Sequence, residues 1–562
     1  MSILKGPKYF FHSNFNLKNT FILTKAYNKI KKSGLFDEKF YLKHYPDAKK
    51  TLMDPLEYYL IYGYKKGHLP SLDFDSNFYL NTYPDVKHSG MNPLLHYVLY
   101  GKKEGKLIQK SPAIIRKEEI ENTNLNLLTN YKFDKEPLVS IIILNRDGID
   151  HLKRLFNDFD NKTNYENYEI IVVDNASSDE SVNYLKELSY DLPIKIIENK
   201  VNVSFSQGNN DAVKIANGEY VLLLNNDIEP TFGWLNEMMG VMLNNENIGA
   251  VGAKLIFPYY FKDKMNKKSF TIQHSGDIFS ERIYPCCLYA KNKSHKNGIF
   301  DSSVNGNNEC IAVTGAVMLI KKSVYEKFDG LNEEYFYGLE DVDFTLKLHK
   351  NNYKTIYCGN ALLFHHESST RSKDKKYVDN DKRNFNIFWQ SWGDYLSKNL
   401  LLDKINNKKF FTEKKLKIIF ADIDFNINKN SNKMIKEISN EFYNLNYDID
   451  LITDKTDHFC GSSSDILISF SLDFSIEKLD ARDDIVKVLS LNNFNFSEGD
   501  DFSKLKYYDI VICSKNYIYK YLKDNKLYNK FIFNFNNDSP EEYCENLLTN
   551  IEAILKNNEG FL

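Results

Sequence analysis

The sequence is poor in cysteine, nearly balanced in charge and without a long apolar segment. Its seven cysteines in 562 residues include no Cys-x-x-Cys pair, which excludes a disulfide framework and the usual zinc signatures and favours a reducing compartment. Lysine and arginine total 73 against 76 for aspartate and glutamate, so no basic field indicates nucleic-acid binding. The longest apolar run, Ile311 to Ile320, is far shorter than the ~20 residues that span a bilayer, and the N-terminus has no signal-type segment. We therefore expect a cytoplasmic protein, either free or at the inner face of the cytoplasmic membrane.

A repeat with a period of 38 residues fills the region 34–108, after an N-terminal segment 1–33. Predicted helix N-caps recur at the same places in both units, and so do glycines where left-handed C-caps are expected. These positions are Asp37, Asp54 and Gly63 in the first unit and Asp75, Asn92 and Gly101 in the second. Neither unit could bury its tyrosine, phenylalanine and leucine face alone, so the pair predicts one all-α module. Its role stays open between packing or self-association and the binding of a glycan or a partner.

Three apolar segments farther along the chain end in polar residues. They start at Leu138, Tyr168 and Tyr220, and they end at Asn145, at Asp174 and at Asn225-Asn226-Asp227. Helical patterns separate them, and this alternation predicts a parallel α/β sheet of the nucleotide-binding kind. Ligands bind at the carboxyl ends of such strands, and a carboxylate is a hard ligand suited to Mg²⁺ or Mn²⁺ on a diphosphate. Asp227 is therefore the predicted metal ligand.

A second acidic group follows the turn at Gly338. Asp341 and Asp343 precede the amphipathic segment Phe344 to His349, so their carboxylates are expected at a helix N-terminus, where the macrodipole favours negative charge. A base held there stays ionised. The same pattern also fits an N-cap and a first-turn acid without any chemical role.

Short motifs between residues 137 and 400 follow one another in a recognisable order. They are Val139-Ser-Ile-Ile-Ile, Val172-Val-Asp-Asn-Ala-Ser-Ser-Asp, Gly208-Asn-Asn, Leu224-Asn-Asn-Asp, Gly249-Ala-Val-Gly-Ala-Lys-Leu, Ile272-Gln-His-Ser-Gly, Val313-Thr-Gly-Ala-Val-Met-Leu, Glu340-Asp-Val-Asp-Phe and His365-His-Glu-Ser. In this order they resemble a family 2 glycosyltransferase with the GT-A fold, of the kind found in surface-polysaccharide biosynthesis. The resemblance implies an inverting enzyme that moves a hexosyl or deoxyhexosyl group from a UDP- or dTDP-sugar to a glycan or lipid-linked acceptor. The acceptor class would be a capsule, lipopolysaccharide, cell-wall or protein glycan, and the implied cofactor is Mg²⁺ or Mn²⁺.

The resemblance also implies roles for individual residues. Asp341 is the implied general base, with Glu340 and Asp343 as the neighbouring acids of the catalytic group. The metal ligands are assigned as Asp227 and His365, with His366 as the alternative to His365. The implied nucleotide-binding residues are Leu144, Asn145, Asp174, Ser177, Asp179, Asn209, Asn225 and Asn226. The implied acceptor-side residues are His274, Trp389 and Trp392, for which a turn and the core packing of a helix are the alternative interpretations.

One position departs from the family pattern. Asn225 replaces the first acid of the Asp-x-Asp signature, which removes one charge from the expected metal site. The competing hypothesis is a catalytically degenerate domain that binds nucleotide or glycan as a scaffold of an assembly complex. The presence of Asp227, Asp341 and Asp343 together favours the enzyme.

The segments on either side of 137–400 complete the predicted architecture. Residues 109–136 are polar and are predicted to form a linker with room for one helix. From 412 to 562 strand and helix patterns alternate again, which predicts a second Rossmann-like α/β domain. This segment resembles one half of a GT-B glycosyltransferase, contains no Gly-rich phosphate loop and is too short for both halves, so we expect a structural or docking role. An oligomer is compatible with all of these features.

Overall fold

The structure is a computed structural model that describes residues 27–557 except 52, 111, 245, 259–268, 283–286, 293–297, 367–374, 423–430, 454–458, 461–463, 473, 475, 477–478, 481–484, 492–501, 529 and 536–538. The chain divides into two compact units, one comprising 1–123 with 259–270 and the other 124–258 with 271–562. Within the described ranges, no helix has both the length and the apolar character needed to cross a membrane.

The first unit is built from short helices. Residues 27–33 are helical, and each repeat then contributes three α-helices and a π-helical turn. In the first repeat these are α1 (Glu38–His44), α2 (Pro46–Lys49), α3 (Pro55–Tyr58) and the π-helical turn Tyr59–Gly63, followed by a 3-10 turn at Tyr64–Lys66. In the second they are α4 (Ser76–Thr82), α5 (Pro84–Ser89), α6 (Pro93–His96) and the π-helical turn Tyr97–Gly101, and the longer helix α7 (Pro112–Leu125) follows. The predicted N-terminal helical region is thus confirmed.

The four predicted N-caps each accept a backbone hydrogen bond from the first turn of the following helix. The prediction of left-handed C-caps at Gly63 and Gly101 is wrong. Gly63 has a φ of -62°, and the left-handed positions are Gly67 and Gly105, with φ of 77° and 72°. A Cβ atom on Gly63 or Gly101 would instead clash with the hydroxyl of a buried tyrosine. Glycine is required there by close approach and not by its backbone conformation.

The two tyrosines that approach these glycines are equivalent in the repeats. Tyr41 and Tyr79 are fully buried. Their hydroxyls lie 3.0 Å from Nδ1 of His68 and 2.9 Å from Nδ1 of His96, respectively. A buried hydroxyl without a partner would cost stability, so these hydrogen bonds allow each ring to fill the core of its repeat.

One residue breaks the symmetry of the repeats. Glu57 occupies the position that Leu95 has in the second repeat, and its side chain is 1 % exposed. Neither of its carboxylate oxygens has a hydrogen-bond partner among the described residues. Burial, together with the nearby charge of Asp54, raises the pKa of Glu57 to about 7.

The second unit contains a ten-stranded mixed sheet in the order β10-β12-β6-β11-β4-β1-β2-β3, with β5 beside β12 and β7 beside β6. Strands β1 to β4 are parallel, whereas β11 is antiparallel to both of its neighbours. The strands are β1 (Val139–Asn145), β2 (Tyr168–Asp174), β3 (Ile194–Glu198), β4 (Tyr220–Asn225), β5 (Ile228–Pro230), β6 (Ile248–Ile256), β7 (Ile272–His274), β10 (Asn307–Cys310), β11 (Val317–Lys321) and β12 (Lys354–His365). A separate ribbon joins β8 (Asp277–Arg282) to β9 (Cys287–Asn292). The predicted α/β fold class is confirmed.

Helices cover both faces of this sheet. They are α8 (Ile149–Leu155), α9 (Phe159–Thr163), α10 (Ser181–Leu188), α11 (Phe205–Ile215), α12 (Trp234–Leu243), α13 (Ser302–Asn305), α14 (Lys322–Lys327) and α15 (Glu340–Lys350). Along β1, Ile141 and Ile143 pack into one apolar cluster and Ile142 packs into the other. The continuous β-branched runs of the sequence therefore reflect strands that are buried on both faces.

A six-stranded parallel sheet, in the order β14-β13-β16-β18-β19-β20, forms the rest of this unit. Its strands are β13 (Lys417–Asp422), β14 (Asp448–Thr453), β16 (Ile466–Ser469), β18 (Val486–Ser490), β19 (Ile510–Cys513) and β20 (Phe531–Asn534), and a short pair joins β15 (Phe459–Cys460) to β17 (Leu479–Asp480). The accompanying helices are α17 (Ser431–Asn444), α18 (Asn516–Asp524) and α19 (Pro540–Asn557), with a 3-10 turn at Phe502–Tyr507. The second α/β sheet was predicted from the sequence. Its strand β20 was not singled out, and all four of its residues are only half-buried.

One long helix, α16 (Lys375–Ile405), contributes residues to two separate apolar clusters. Phe388, Trp392 and Leu396 are buried in a cluster that includes two apolar residues of α15. Leu401 and Ile405, farther along the same helix, are buried in the core of the six-stranded sheet. Phe388 and Trp392 thus form core packing, which was the alternative interpretation of Trp392 as an acceptor-side residue.

The close approach at Gly101 leads to a test of the repeat packing. Gly101→Ala should destabilise the first unit by about 1–3 kcal/mol, because a methyl group has no room beside the Tyr79 hydroxyl. Hydrogen exchange of the amides in 76–108, measured in the full chain, reports this loss. The double variant with Tyr79→Phe should recover part of it, since the clashing atom is removed, and two strictly additive effects would contradict the proposed contact.

Burial of Glu57 predicts that replacing it with leucine, the residue at the equivalent position of the second repeat, raises the stability of the unit by an amount that depends on pH. The raised pKa means that the folded state binds more protons than the unfolded state between about pH 4.5 and 7, so this group weakens stability as pH rises through that window. Glu57→Leu should therefore stabilise the unit by roughly 2–3 kcal/mol more at pH 8 than at pH 4.5. Denaturant unfolding at the two pH values measures the difference. Glu57→Gln should show the same pH dependence without the added apolar packing.

Candidate functional site

The polar ends of three neighbouring strands meet at one edge of the ten-stranded sheet. The parallel register sets Asn145 beside Asp174 and Leu144 beside Asn225. Asn145 lies in the centre, because β1 runs between β2 and β4. Ligands of α/β sheets bind at this edge, and its residues are the ones predicted to bind a nucleotide.

Asn145 and Asp174 organise a hydrogen-bonded loop after β2. The Nδ2 atom of Asn145 donates to Asp174 Oδ1 at 3.1 Å and to Ser177 Oγ at 3.2 Å. Asp174 also accepts from the hydroxyl of Ser177 at 2.6 Å and from its amide at 3.0 Å. An ionised carboxylate offers about four lone-pair sites, so these three bonds leave one for a ligand. Asp174 is only 2 % exposed, and its first role is to order the loop.

Two further carboxylates tie this loop to the segment that follows β1. Asp179 accepts from the amides of Ile149 and Ser181, each at 3.0 Å. Burial alone would raise the pKa of Asp179, but these hydrogen bonds outweigh it and lower the pKa. Asp147 accepts from the amide and hydroxyl of Ser178, and these bonds lower its pKa. Asp147 was not singled out in the sequence, although its position two residues after a strand end was a usable signal.

Three further residues predicted to bind the nucleotide have different surroundings. Asn226 lies in the polar network, because its Nδ2 donates to Asn145 Oδ1 at 2.8 Å. Leu144 packs where Gly208 of α11 lacks a side chain. Asn209 is 1 % exposed and donates to a carbonyl of its own helix at 2.9 Å, so its expected nucleotide contact is corrected to a structural role in α11. Its amide is already used within the helix.

Asp341 lies at the start of α15, as the sequence predicted. The preceding residue Leu339 is left-handed, with φ of 74°, and this turns the chain into the helix. Oδ2 of Asp341 accepts from the Gly315 amide at 2.8 Å, and Oδ1 accepts from the Val342 amide at 2.9 Å. These donors and the helix N-terminus favour the ionised carboxylate. The side chain is half-buried.

The other two acids of this group are buried. Asp343 is 2 % exposed, accepts from Nε1 of Trp392 at 2.8 Å and pairs with Lys347 at 2.9 Å. Glu340 is 6 % exposed. The catalytic role expected of Asp343 and Glu340 stays a prediction. Both side chains are enclosed by the fold, and Asp343 fastens α15 to α16.

Asp227 and His365 form the candidate metal centre. Oδ1 of Asp227 lies 3.2 Å from Nε2 of His365, and each side chain keeps a small exposed fraction. The two residues meet because β5 pairs with the end of β12. The alternative, His366, faces a different carboxylate, with its Nε2 3.1 Å from Glu229. Burial lowers the pKa of His366.

A carboxylate oxygen and an imidazole nitrogen that lie this close together suit a divalent cation. Protein sites for Mg²⁺ commonly use one or two side chains and leave the other positions to phosphate oxygens and water. Among the residues that the structure describes, no group of three or more metal-binding side chains converges. The pair therefore fits a cation that is shared with a diphosphate and does not fit a closed structural site.

The predicted acceptor-side residues are mostly enclosed. His274 is 1 % exposed and Trp392 is 6 % exposed, so the expectation that they contact a sugar is corrected. Trp389 is half-buried and stacks on Phe385 with ring centroids 6.3 Å apart. The sequence did not reveal Glu229 as a partner of His366. Its position two residues after Asp227 was the available signal.

Comparison with known proteins shows which family this region resembles. Residues 139–326 match the model of glycosyl transferase family 2. The chain is 30 % identical over 250 residues to the uncharacterized protein y4gI of Sinorhizobium fredii, which covers 42 % of this chain and 25 % of that protein. It is 27 % identical over 239 residues to the O-antigen biosynthesis protein RfbC of Myxococcus xanthus, covering 42 % of this chain and 18 % of RfbC. The match thus spans a quarter or less of these two relatives.

Among solved structures, the chain is similar to GalNAc-T7 with UDP, GalNAc and Mn²⁺. Its TM-score is 0.37 at 12 % identity, and the match covers 48 % of this chain and 51 % of that one. The parallel strands β1, β2 and β4, with their polar ends, lie within the stretch that matches the family model. The chain therefore carries a glycosyltransferase domain of family 2.

Proposed function

We propose that this protein transfers a sugar from a nucleoside diphosphate donor to a hydroxyl group of a growing surface glycan, with inversion at the anomeric carbon. The observation that carries the proposal is the connection between Asp341 and the nucleotide edge. Gly315 donates to Asp341, and the next residue, Ala316, accepts from the amide of Asn225 at 2.9 Å. A candidate base and the strand end that leads to Asp227 are thus held by adjacent residues.

The donor would lie across the ends of β1, β2 and β4. The lone pair that remains on Asp174 and the loop ordered by Asn145 and Ser177 suit the hydroxyl and amide groups of a nucleoside. Asp227 and His365 would hold a divalent cation beside the diphosphate. When bound, such a cation offsets negative charge on the leaving group. The UDP- or dTDP-sugar expected from the family resemblance is compatible with this arrangement.

Asp341 would act as the general base in a single displacement. The acceptor oxygen attacks the anomeric carbon, its proton moves to Asp341, and the bond between that carbon and the diphosphate oxygen breaks. The nucleoside diphosphate leaves from the opposite face, which inverts the configuration. The amides of Gly315 and Val342 fix the carboxylate in one orientation during this step.

The class of acceptor is inferred from relatives. RfbC is named for O-antigen biosynthesis, and its similarity to this chain supports a surface glycan as the product. The competing scaffold function rests on one observation, which is Asn225 in place of an acid. Binding of the nucleotide without any transfer of sugar would support the scaffold function.

Loss of the base is the first test. Asp341→Asn should lower kcat by about 10²–10⁴-fold with donor affinity nearly unchanged, because the amide cannot take the proton. Release of UDP or dTDP in the presence of acceptor measures turnover, and calorimetry with the free nucleotide measures binding. Glu334→Gln, which changes an exposed acid seven residues earlier, should stay within about twofold. Full activity of the Asp341 variant would remove this residue from the mechanism.

The cation pair gives a second test. Asp227→Ala should abolish the gain in UDP affinity that Mn²⁺ produces, and His365→Ala should raise the Mn²⁺ concentration for half-maximal activity by about tenfold or more. His366→Asn is the matched control, because His366 faces Glu229 and not Asp227. This variant should leave the Mn²⁺ concentration for half-maximal activity unchanged. Undiminished transfer by the wild-type protein in excess chelator would contradict the metal assignment.

A further inference from the structure

His274 is a buried polar residue with no role in the proposed chemistry. It ends β7, and its side chain is 1 % exposed. Its Nε2 atom lies 3.3 Å from the amide nitrogen of Gly276 and 3.5 Å from that of Thr314. Its other ring nitrogen, Nδ1, lies 3.4 Å from Oδ1 of Asp277. The ring therefore contacts a segment that is 40 residues away in the sequence.

These contacts define the state of the ring. Both groups that face Nε2 are N–H donors, so Nε2 must be the unprotonated acceptor. A neutral imidazole then carries its proton on Nδ1, which faces the carboxylate of Asp277. The same region has a backbone connection, because the Asp277 amide donates to the carbonyl of Ala312 at 2.8 Å. The start of β8 and the segment Ala312–Thr314 are thus joined by main chain and side chain.

The residue after Thr314 contacts the proposed base. Gly315 donates its amide to Asp341 at 2.8 Å, and it has little spare room, because a Cβ atom there would lie 3.3 Å from atoms of Asp341 and of Phe205. Ala316 then accepts from Asn225. Consecutive residues of one short loop are therefore bonded to His274, to Asp341 and to the end of β4.

We propose that His274 is a positioning residue for Asp341. By accepting the Thr314 amide, the imidazole holds the loop so that the next amide points at the carboxylate of the base. This inference rests on the proposed function of Asp341. It assigns His274 a role through the protein and not through contact with a substrate, which its burial excludes.

The simpler explanation is that His274 only fills the core, and a comparison of three variants separates the two. His274→Leu keeps apolar volume and removes the acceptor, whereas His274→Gln offers an oxygen near the place of Nε2. His349→Leu is the matched control. His349 is also a partly enclosed histidine with a hydrogen bond, from Nδ1 to the Tyr395 hydroxyl at 2.6 Å, and it does not contact the loop.

We expect His274→Leu to lower kcat by about 10- to 100-fold while the KM for the donor stays within about twofold, because a misplaced base slows the chemical step without altering the nucleotide edge. His274→Gln should recover most of kcat. His349→Leu should lower thermal stability comparably and leave kcat within about twofold. Equal kcat values for the two leucine variants, or no recovery with glutamine, would overturn the proposal.

Hydrogen exchange of the Thr314 and Gly315 amides tests the same point without activity. Both should exchange faster in His274→Leu than in the wild-type protein, and they should be unchanged in His349→Leu. Unchanged exchange in His274→Leu would overturn the positioning role even if turnover falls. If the wild-type protein transfers no sugar but this exchange pattern is seen, the proposed function fails while the link from His274 to the loop stands.

Discussion

The parallel register of β1, β2 and β4 is the constraint on which the candidate site depends. It places Asn145 beside Asp174 and Leu144 beside Asn225, so residues from three distant segments share one edge. A shift by one residue would exchange the side chains that fill the two apolar clusters on either side of the sheet, and close packing of those clusters resists such an exchange. The polar network at the edge then follows from the apolar packing behind it.

The acids of this site have separate roles because their surroundings differ. Asp343 is buried against Trp392 and Lys347 and fixes α15 to α16. Asp341, two residues earlier, accepts from two amides and is half-buried. A buried carboxylate with satisfied bonds is costly to move, so Asp343 provides the fixed frame from which Asp341 can act. Asp227 depends in the same way on the pairing of β5 with β12, which brings His365 to it.

Helix α16 explains how one chain can combine two sheets. Its earlier residues are buried with α15, and its last residues are buried in the six-stranded sheet. A buried ion pair between Lys404 and Asp465, at 2.6 Å, fixes the end of α16 to the start of β16. Separating the two side chains would leave an uncompensated buried charge. The helical repeats form their own tyrosine-rich core in the first unit, where Gly63 and Gly101 admit the hydroxyls of Tyr41 and Tyr79.

The sequence by itself determined the local features of this protein. Apolar periodicity located the main strands, N-caps marked the short helices, and Asp341 was placed correctly at a helix start. Only the tertiary structure decided which polar residues are enclosed and what they bind. Gly63 was expected at a C-cap, yet it makes room for the hydroxyl of a buried tyrosine. Nothing in the local sequence indicates that His274 contacts a loop amide 40 residues away, or that Asp343 accepts from an indole 49 residues away. Burial and partnership depend on residues far apart in the chain, and local propensity carries no information about them.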